Sequence, residues 1–470
     1  MVIHPSDNVE IRDDGHKYAL RAIAAGENVI KYGMPIGHAT CAIAAGAHVH
    51  VHNVATNLGD ELEYAYEPDT AAIAASDARR EACAAEAVRC TFRGYRHPDG
   101  RVGVRNDIWV VPTVGCVNDL ARRLAASCGG LALTHPYGCS QMGEDHETTA
   151  RLLAALCRHP NAGGVLVVGL GCENNTLESF AARLGYDAKT GQPLDGAAPF
   201  NVRFLRAQDP GDEEERGRSM LAELMAARPA ERVDVPVSEL VVGLKCGGSD
   251  GFSGLTANPL VGRFSDWLVA RGGSTVLTEV PEMFGAETLL MKRCRTEEVF
   301  RKCVKMINGF KEYYARHNQV CYENPSPGNK AGGITTLEDK SLGCVQKGGS
   351  SAVEDVLDYG EKVSVRGLSL LTGPGNDLVA STVLAAAGCH LVLFTTGRGT
   401  PFGTAVPTMK IATNSALAAN KPKWIDWDAM AHPETEAFAA AVLACASGAP
   451  ARNEAAGARE IAIFKDGVTL

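Results

Sequence analysis

Four short runs of apolar, largely β-branched residues in the middle of the chain each stop at a turn that carries a cysteine. Residues 107–111 run into PTVGCVND, 130–134 into HPYGCSQ, 163–169 into LGCEN and 240–244 into KCGGSDGFSG. Each turn is followed by a longer stretch of helical period, and that alternation specifies βα units on largely parallel sheets. Later runs repeat it: 274–277 ends at Thr278 and Glu279, 368–371 at TGPGND, and 391–394 at TTGRGTPFG. In an open α/β sheet the ligand crevice lies beyond the carboxyl ends of the strands. Cys116, Cys139, Cys172 and Cys246 therefore occupy equivalent places, with Glu279, Asp377 and Arg398 on the same rim.

The 470 residues leave room for several domains. Residues 1–66, rich in His and Gly, read as a small β unit; 67–92 read as an Ala-rich, partly helical linker. Residues 93–235 and 236–470 read as two α/β domains. A net charge of -9 without a basic stripe excludes a nucleic-acid footprint. No run of about 18 apolar residues is long enough to span a membrane. The first residues lack the basic and apolar regions of a secretory signal, so the cytoplasm is the expected compartment. There, cysteines are thiols or metal ligands rather than a disulfide framework. Ten of the fifteen read as small core residues, and Cys344 is assigned to neither class. No CxxC pair supports a zinc ribbon. GLGCEN breaks the dinucleotide spacing at Asn174, so no nucleotide cofactor is expected.

Three other features point to chemistry. The stretch 323–349, ENPSPGNKAGGITTLEDKSLGCVQKGG, has neither helical nor strand period and reads as an active-site loop around a polar ligand. HVHVHN places His48, His50 and His52 on one strand face, which suits either a metal or plain solvation. GGSDGFSG and GRGTPFG offer backbone N–H groups which, with Arg398, suit a carboxylate.

GHKYALRAIAAGENVIKYGMPIG, HVHVHN, VGVRND, TVGCVN, HPYGCSQMGEDH, HPNAGGVLVVGLGCENN, CGGSDGFSGLTANP, TEVPEMFGAE, ENPSPGNKAGGITTLEDKSLGC, TGRGTPFG and IFKDGVTL together resemble the altronate and galactarate dehydratase family. HVHVHN, TEVPEMFGAE and TTLEDKSLGC resemble its altronate branch. The resemblance implies a small SAF-type β domain followed by α/β domains, a sugar-acid substrate and a homodimer. It also implies a divalent metal, usually iron; Fe2+ is expected first, and Mn2+ or, from the strand-end cysteines themselves, an iron–sulfur cluster stand as alternatives. One departure is that only EIRDDG separates Val9 from His16, shorter than the family pattern, so the small domain is expected to lack one or two strands.

Dehydration of a 2,3-dihydroxy acid needs a base, an acid for the departing hydroxyl, and positive charge against the enediolate. The residues assigned are Lys330, with His16 or His135 second, as base, and Glu338 or His146 as acid. Arg398 with the Gly247 and Gly248 backbone would bind the carboxylate, alongside Ser249, Asp250 and Asn329. The thiolates of Cys116, Cys139, Cys172 and Cys246 would hold a single iron or a cluster with an open iron. The alternatives are His50 and His52 of a first domain closing as a lid, or Glu173 and Glu279. Galactarate or sulfolactate could replace altronate. A non-catalytic sugar-acid binder is the reading from another class.

Overall fold

The computed structural model describes residues 4–59, 63–321 and 324–467. Residues 4–59 form two three-stranded antiparallel sheets. One joins Val9–Ile11, Lys17–Ala19 and His48–Val49; the other joins Asn28–Lys31, Met34–Ala39 and Val54–Ala55. Alternate residues face inward, so Val9, Ala19, Val29, Ile36, Val49 and Val54 share one core. The second hairpin turns on Tyr32 and Gly33, both with positive φ, the geometry that matches the twist of a two-residue turn. The short EIRDDG segment is accommodated as the end of the first strand and a turn into Lys17–Ala19.

The Ala-rich segment is an ordered helix, Thr70–Ala87, capped by Asp69. It lies against helix Ala257–Ala270 and is tied down by the pairs Asp77–Arg295 and Arg80–Glu354. The next unit is a four-stranded parallel sheet ordered Leu131–Ala132, Asp107–Pro112, Ala162–Gly169, Val202–Arg206. Ala162–Gly169 is buried throughout, as a parallel strand covered on both faces must be.

The largest sheet has seven parallel strands. Its order is Val353–Leu357, Leu368–Leu371, Ser274–Leu277, Val241–Cys246, Leu391–Thr396, Thr408–Ala412, Trp427–Asp428. The chain lays Val241–Cys246 first, builds three strands to one side, then crosses to Leu391–Thr396 on the other. That reversal opens a crevice at the carboxyl end of Val241–Cys246. The expected α/β architecture, with a small β-rich first domain, is the observed one.

The polar stretch expected as a loop is mostly helical. Of it, Glu323 lies outside the described residues; the rest forms helices Pro327–Ala331 and Leu337–Cys344 and a 3-10 turn Val345–Gly348. Ser326 and Thr336 cap the two helices through their hydroxyls. Every residue of Leu337–Cys344 is buried. With no solvent-facing side it has no amphipathic period to read.

Candidate active site

Cys246 closes the central strand at the crevice. Its backbone N–H donates to Glu279 Oε2 at 2.8 Å, and its thiol donates to Glu282 Oε2 at 2.7 Å. Cys344 Sγ lies 3.4 Å from Cys246 Sγ, and Lys347 Nζ donates to Cys246 Sγ at 2.9 Å. Lys340 Nζ meets Glu282 Oε1 at 2.8 Å. Lys245 Nζ bridges Glu279 Oε1 at 2.9 Å and Asp377 Oδ1 at 2.8 Å. The local backbone makes this possible. Glu279 takes φ 73, a left-handed value rare for a residue with a Cβ, and leads into the 3-10 turn Val280–Glu282. Both carboxylates thereby meet the end of the neighbouring strand.

Each charge has a buried counter-charge. Burial would raise the Glu282 carboxyl, but Lys340 and Lys347 more than reverse this and hold it at about 2. Burial and the Glu282 charge push Glu279 well above the carboxylate range. Cys344 beside it and burial push the Cys246 thiol well above its usual value. Burial lowers Lys340 and Lys347, but their anionic neighbours raise both above the ordinary lysine value, so both are ammoniums at neutral pH.

A cleft of about 630 Å³ opens over this cluster, with Cys246, Glu282 and Lys340 at its base and Asn324, Ser326 and Asp377 on its walls. Among the described residues, Cys246, Glu282 and Cys344 are the one group of three donors close enough to share an ion, their donor atoms lying within 4.8 Å of one another. Two sulfurs and a carboxylate oxygen suit a borderline divalent ion such as iron(II). Once both thiols ionise, three anions face the ammoniums of Lys340 and Lys347, so a cation is still electrostatically welcome. The residues fit a metal.

The small domain is clamped beside this site. Lys17 Nζ and Lys31 Nζ share the carboxylate of Asp339 at 2.6 and 2.8 Å, all three side chains being at most 2 % exposed. Lys17 also donates to Gly333 O at 2.5 Å. Glu338 accepts from Thr56 Oγ1 at 2.8 Å and the Asn57 N–H at 2.7 Å. The backbones meet closely: a Cβ on Gly251 would stand 1.8 Å from the Gly15 carbonyl oxygen. Near this seam the rings of His16, His48, His50 and His52 gather, with His16 Nδ1 3.1 Å from His48 Nε2 and His50 Nδ1 3.1 Å from Thr335 Oγ1.

The anticipated residues divide accordingly. Cys246 is in the site, but no four-thiolate group forms. Cys116, Cys139 and Cys172 belong to the other, four-stranded sheet, because equivalent strand ends in two separate sheets need not meet. His50 and His52 join no group of three metal donors among the described residues. Glu279 braces Cys246 rather than joining the three donors, and Glu173 is enclosed by Thr113 Oγ1 and the N–H groups of Leu170 and Gly171. His135 uses both ring nitrogens on backbone groups of its own domain, and burial pushes it down to about 4. His146 sits on helix Glu144–Cys157. Glu338 is occupied by the small domain. Asp250 accepts from Ser253, Thr413 and Asn414, and Asn329 is spent on Ser326 and Ser249 O, so both hold loops in place. Ser249 Oγ lies 3.6 Å from Cys246 Sγ. The Gly247 N–H is taken by Thr395 O. Arg398 is exposed beside Gly248 and Gly328, and half-buried Lys330 has no side-chain hydrogen bond or ion pair among the described residues. The sequence reading missed Glu282, Cys344, Lys340 and Lys347; three of them lie in charged or cysteine positions of the segment taken for a loop.

Three family models match in succession: the altronate/galactarate dehydratase SAF domain over residues 3–57, the second domain of D-galactarate dehydratase/altronate hydrolase over 94–228, and the C-terminal part of D-galactarate/altronate dehydratase over 237–469. The chain is 52% identical to altronate dehydratase of Bacillus subtilis, over 98% of its own length and 94% of the relative. It is 53% identical to altronate dehydratase of Escherichia coli, over 99% and 94%. Galactarate dehydratase (L-threo-forming) of Escherichia coli is 34% identical, over 89% and 80%. With a metal-competent cleft at the sheet reversal and these matches along its length, the chain belongs to the altronate/galactarate dehydratase family.

Proposed function

We propose that this chain removes water from a sugar acid of the altronate type, giving a 2-keto-3-deoxy acid in the cleft above Cys246. The observation that carries the reading is the Cys246–Glu282–Cys344 donor set with two buried ammoniums, reached from that cleft through Cys246, Glu282 and Lys340. An iron(II) ion on these three residues would supply Lewis-acid polarisation of the substrate oxygens. The protein's own groups do the rest. Arg398, beside Gly248 at the cleft edge, binds the substrate carboxylate. Lys340 stays protonated and faces the oxygen on which charge builds as the proton beside the carboxylate leaves. Asp377, on the cleft wall with its side chain 35 % exposed, is the proton acceptor, held by Lys245. Lys330, one residue beyond cleft-lining Asn329, is the second candidate base. Altronate is favoured over galactarate because the altronate dehydratases are 52% and 53% identical and the galactarate enzyme 34%.

The test is 2-keto acid formation from D-altronate and from galactarate by anaerobically purified protein supplied with iron(II) or manganese(II). Turnover of altronate, lost in Lys340→Met and Asp377→Asn with the fold retained, supports the assignment. Absence of keto acid from both substrates, or full activity in both variants, overturns it.

A further inference from the structure

We propose that Cys116, Cys139 and Cys172 hold an iron–sulfur cluster by three thiolates, a second metal centre distinct from the Cys246 site. The three residues follow three neighbouring strands of the four-stranded sheet, Asp107–Pro112, Leu131–Ala132 and Ala162–Gly169. Their turns are bonded to one another. The Gly115 N–H donates to Tyr137 O at 2.9 Å, the Asn175 N–H to Gly138 O at 2.9 Å, and the Ser140 N–H to Asn174 Oδ1 at 2.8 Å. Each of these contacts is within three residues of one of the cysteines. The first turn also meets the third through Thr113 Oγ1 and Glu173 Oε1 at 2.8 Å. A side chain on Gly138 would strike Thr113 O at 2.0 Å, so the first two turns approach as closely as backbones can.

The exposure of these cysteines is a second, separate observation. Free cysteine is among the most buried residue types, yet of the three exposed cysteines in this chain two are Cys116 and Cys172, and Cys139 is half-buried. The arrangement argues against a single shared ion. A single ion with metal–sulfur bonds of about 2.3 Å needs sulfurs within about 4.6 Å of one another. These three are not gathered that tightly, since the one such group among the described residues is Cys246, Glu282 and Cys344. A cluster, whose ligands bind different irons, spans wider-set thiolates on adjoining turns. On assembly from ferric iron and sulfide, an added thiol reductant gives up electrons to bring part of the iron to iron(II) and is itself oxidised to disulfide, each cysteine thiol releases one proton as its sulfur bonds to iron, and three ligands leave one iron open.

The experiment is anaerobic reconstitution of the full chain with ferric iron, sulfide and a thiol reductant. It reads acid-labile sulfide, iron content, visible charge-transfer absorption and the electron paramagnetic resonance of the dithionite-reduced protein. Wild type is expected to take up about four irons with matching sulfide. Cys116→Ser, Cys139→Ser and Cys172→Ser should each lose at least tenfold of the absorption with an unchanged circular dichroism spectrum. Cys246→Ser and Cys41→Ser should keep it. Absence of labile sulfide in wild type, iron bound without sulfide, or an unaltered spectrum in all three serine variants overturns the proposal. None of these readouts depends on turnover, so failure here is separable from failure of the dehydratase reading.

Discussion

Replacing Asp339 with Asn should release the small domain while leaving the α/β body folded. The carboxylate faces two ammoniums at 2.6 and 2.8 Å. With an effective dielectric constant of about 20, each contact is worth roughly 6 kcal/mol of gross Coulomb energy. That gross figure is not what the substitution costs, because a stranded buried ammonium discharges instead. Shedding a proton at pH 7 from a lysine of ordinary value 10.5 costs about 1.4 kcal/mol per unit, so about 5 kcal/mol per lysine is the ceiling. Burial already pushes Lys17 down to about 8 even with Asp339 present, so its discharge is the cheaper of the two. Removing one partner of a buried pair typically costs about 3–5 kcal/mol. We expect amide exchange of residues 9–55 to quicken by about two to three orders of magnitude, at about 1.4 kcal/mol per tenfold, with strands 241–246 and 391–396 unaffected. The pH dependence has a definite sign. Burial raises the Asp339 carboxyl, but the two ammoniums hold it well below its ordinary 3.8. Its stabilisation is therefore complete above about pH 4 and lost as pH falls further, a loss Asp339→Asn should not show. Exchange within threefold of wild type in the variant would refute the clamp. The triple variant Lys17→Met, Lys31→Met, Asp339→Leu should restore protection, since apolar replacement of a buried ion group is often neutral.

Three further outcomes follow from the geometry. Gly251→Ala drives a methyl group to 1.8 Å from the Gly15 carbonyl and should destabilise the seam by about 1–3 kcal/mol; a thermal midpoint equal to wild type would contradict this. Gly247→Ala places its Cβ 2.6 Å from Asp377 Oδ1, displacing the carboxylate from Lys245. Keto-acid formation should fall at least tenfold without loss of fold, and undiminished turnover would remove Asp377 from the mechanism. Burial, with Lys17 and the other imidazoles nearby, pushes His50 down to about 4, so its ring is neutral at pH 7; an imidazole titration seen by NMR near pH 6.5 would refute that placement.

Four adjoining strands of the seven-stranded sheet were legible because they are short, mostly apolar runs, whereas Val353–Leu357 (VEDVL), Thr408–Ala412 (TMKIA) and Trp427–Asp428, which carry charged residues, were not read as strands. Residues 274–277 and 368–371 match Ser274–Leu277 and Leu368–Leu371, while 240–244 and 391–394 each stop two residues short of the observed strand end, the former also starting one residue early. The site was half legible. Strand-end position identified Cys246, but nothing local distinguishes it from Cys172, since the difference is which sheet each strand joins. Glu282 was passed over for Glu279 because the left-handed residue at 279 reverses the order in which the two carboxylates reach the cluster, and backbone sign is not written in residue type. Lys347 lies 101 residues from the thiol it contacts. Residues 337–344 looked like a loop because charge usually signals solvent; here Lys340 and Asp339 are buried against opposite charge. The hydroxyl caps at Ser326 and Thr336 were the available sign that helices begin there.

The distance along the chain between the clamp residues sets an order of events at the ribosome. Lys17 emerges 322 residues ahead of Asp339, and at about 5–20 residues per second that is roughly 15–65 s of elongation. For that interval both lysines must stay hydrated, so the N-terminal unit cannot reach its final seat while it is being made. Its locking waits on the last third of the polypeptide, where Asp339 lies.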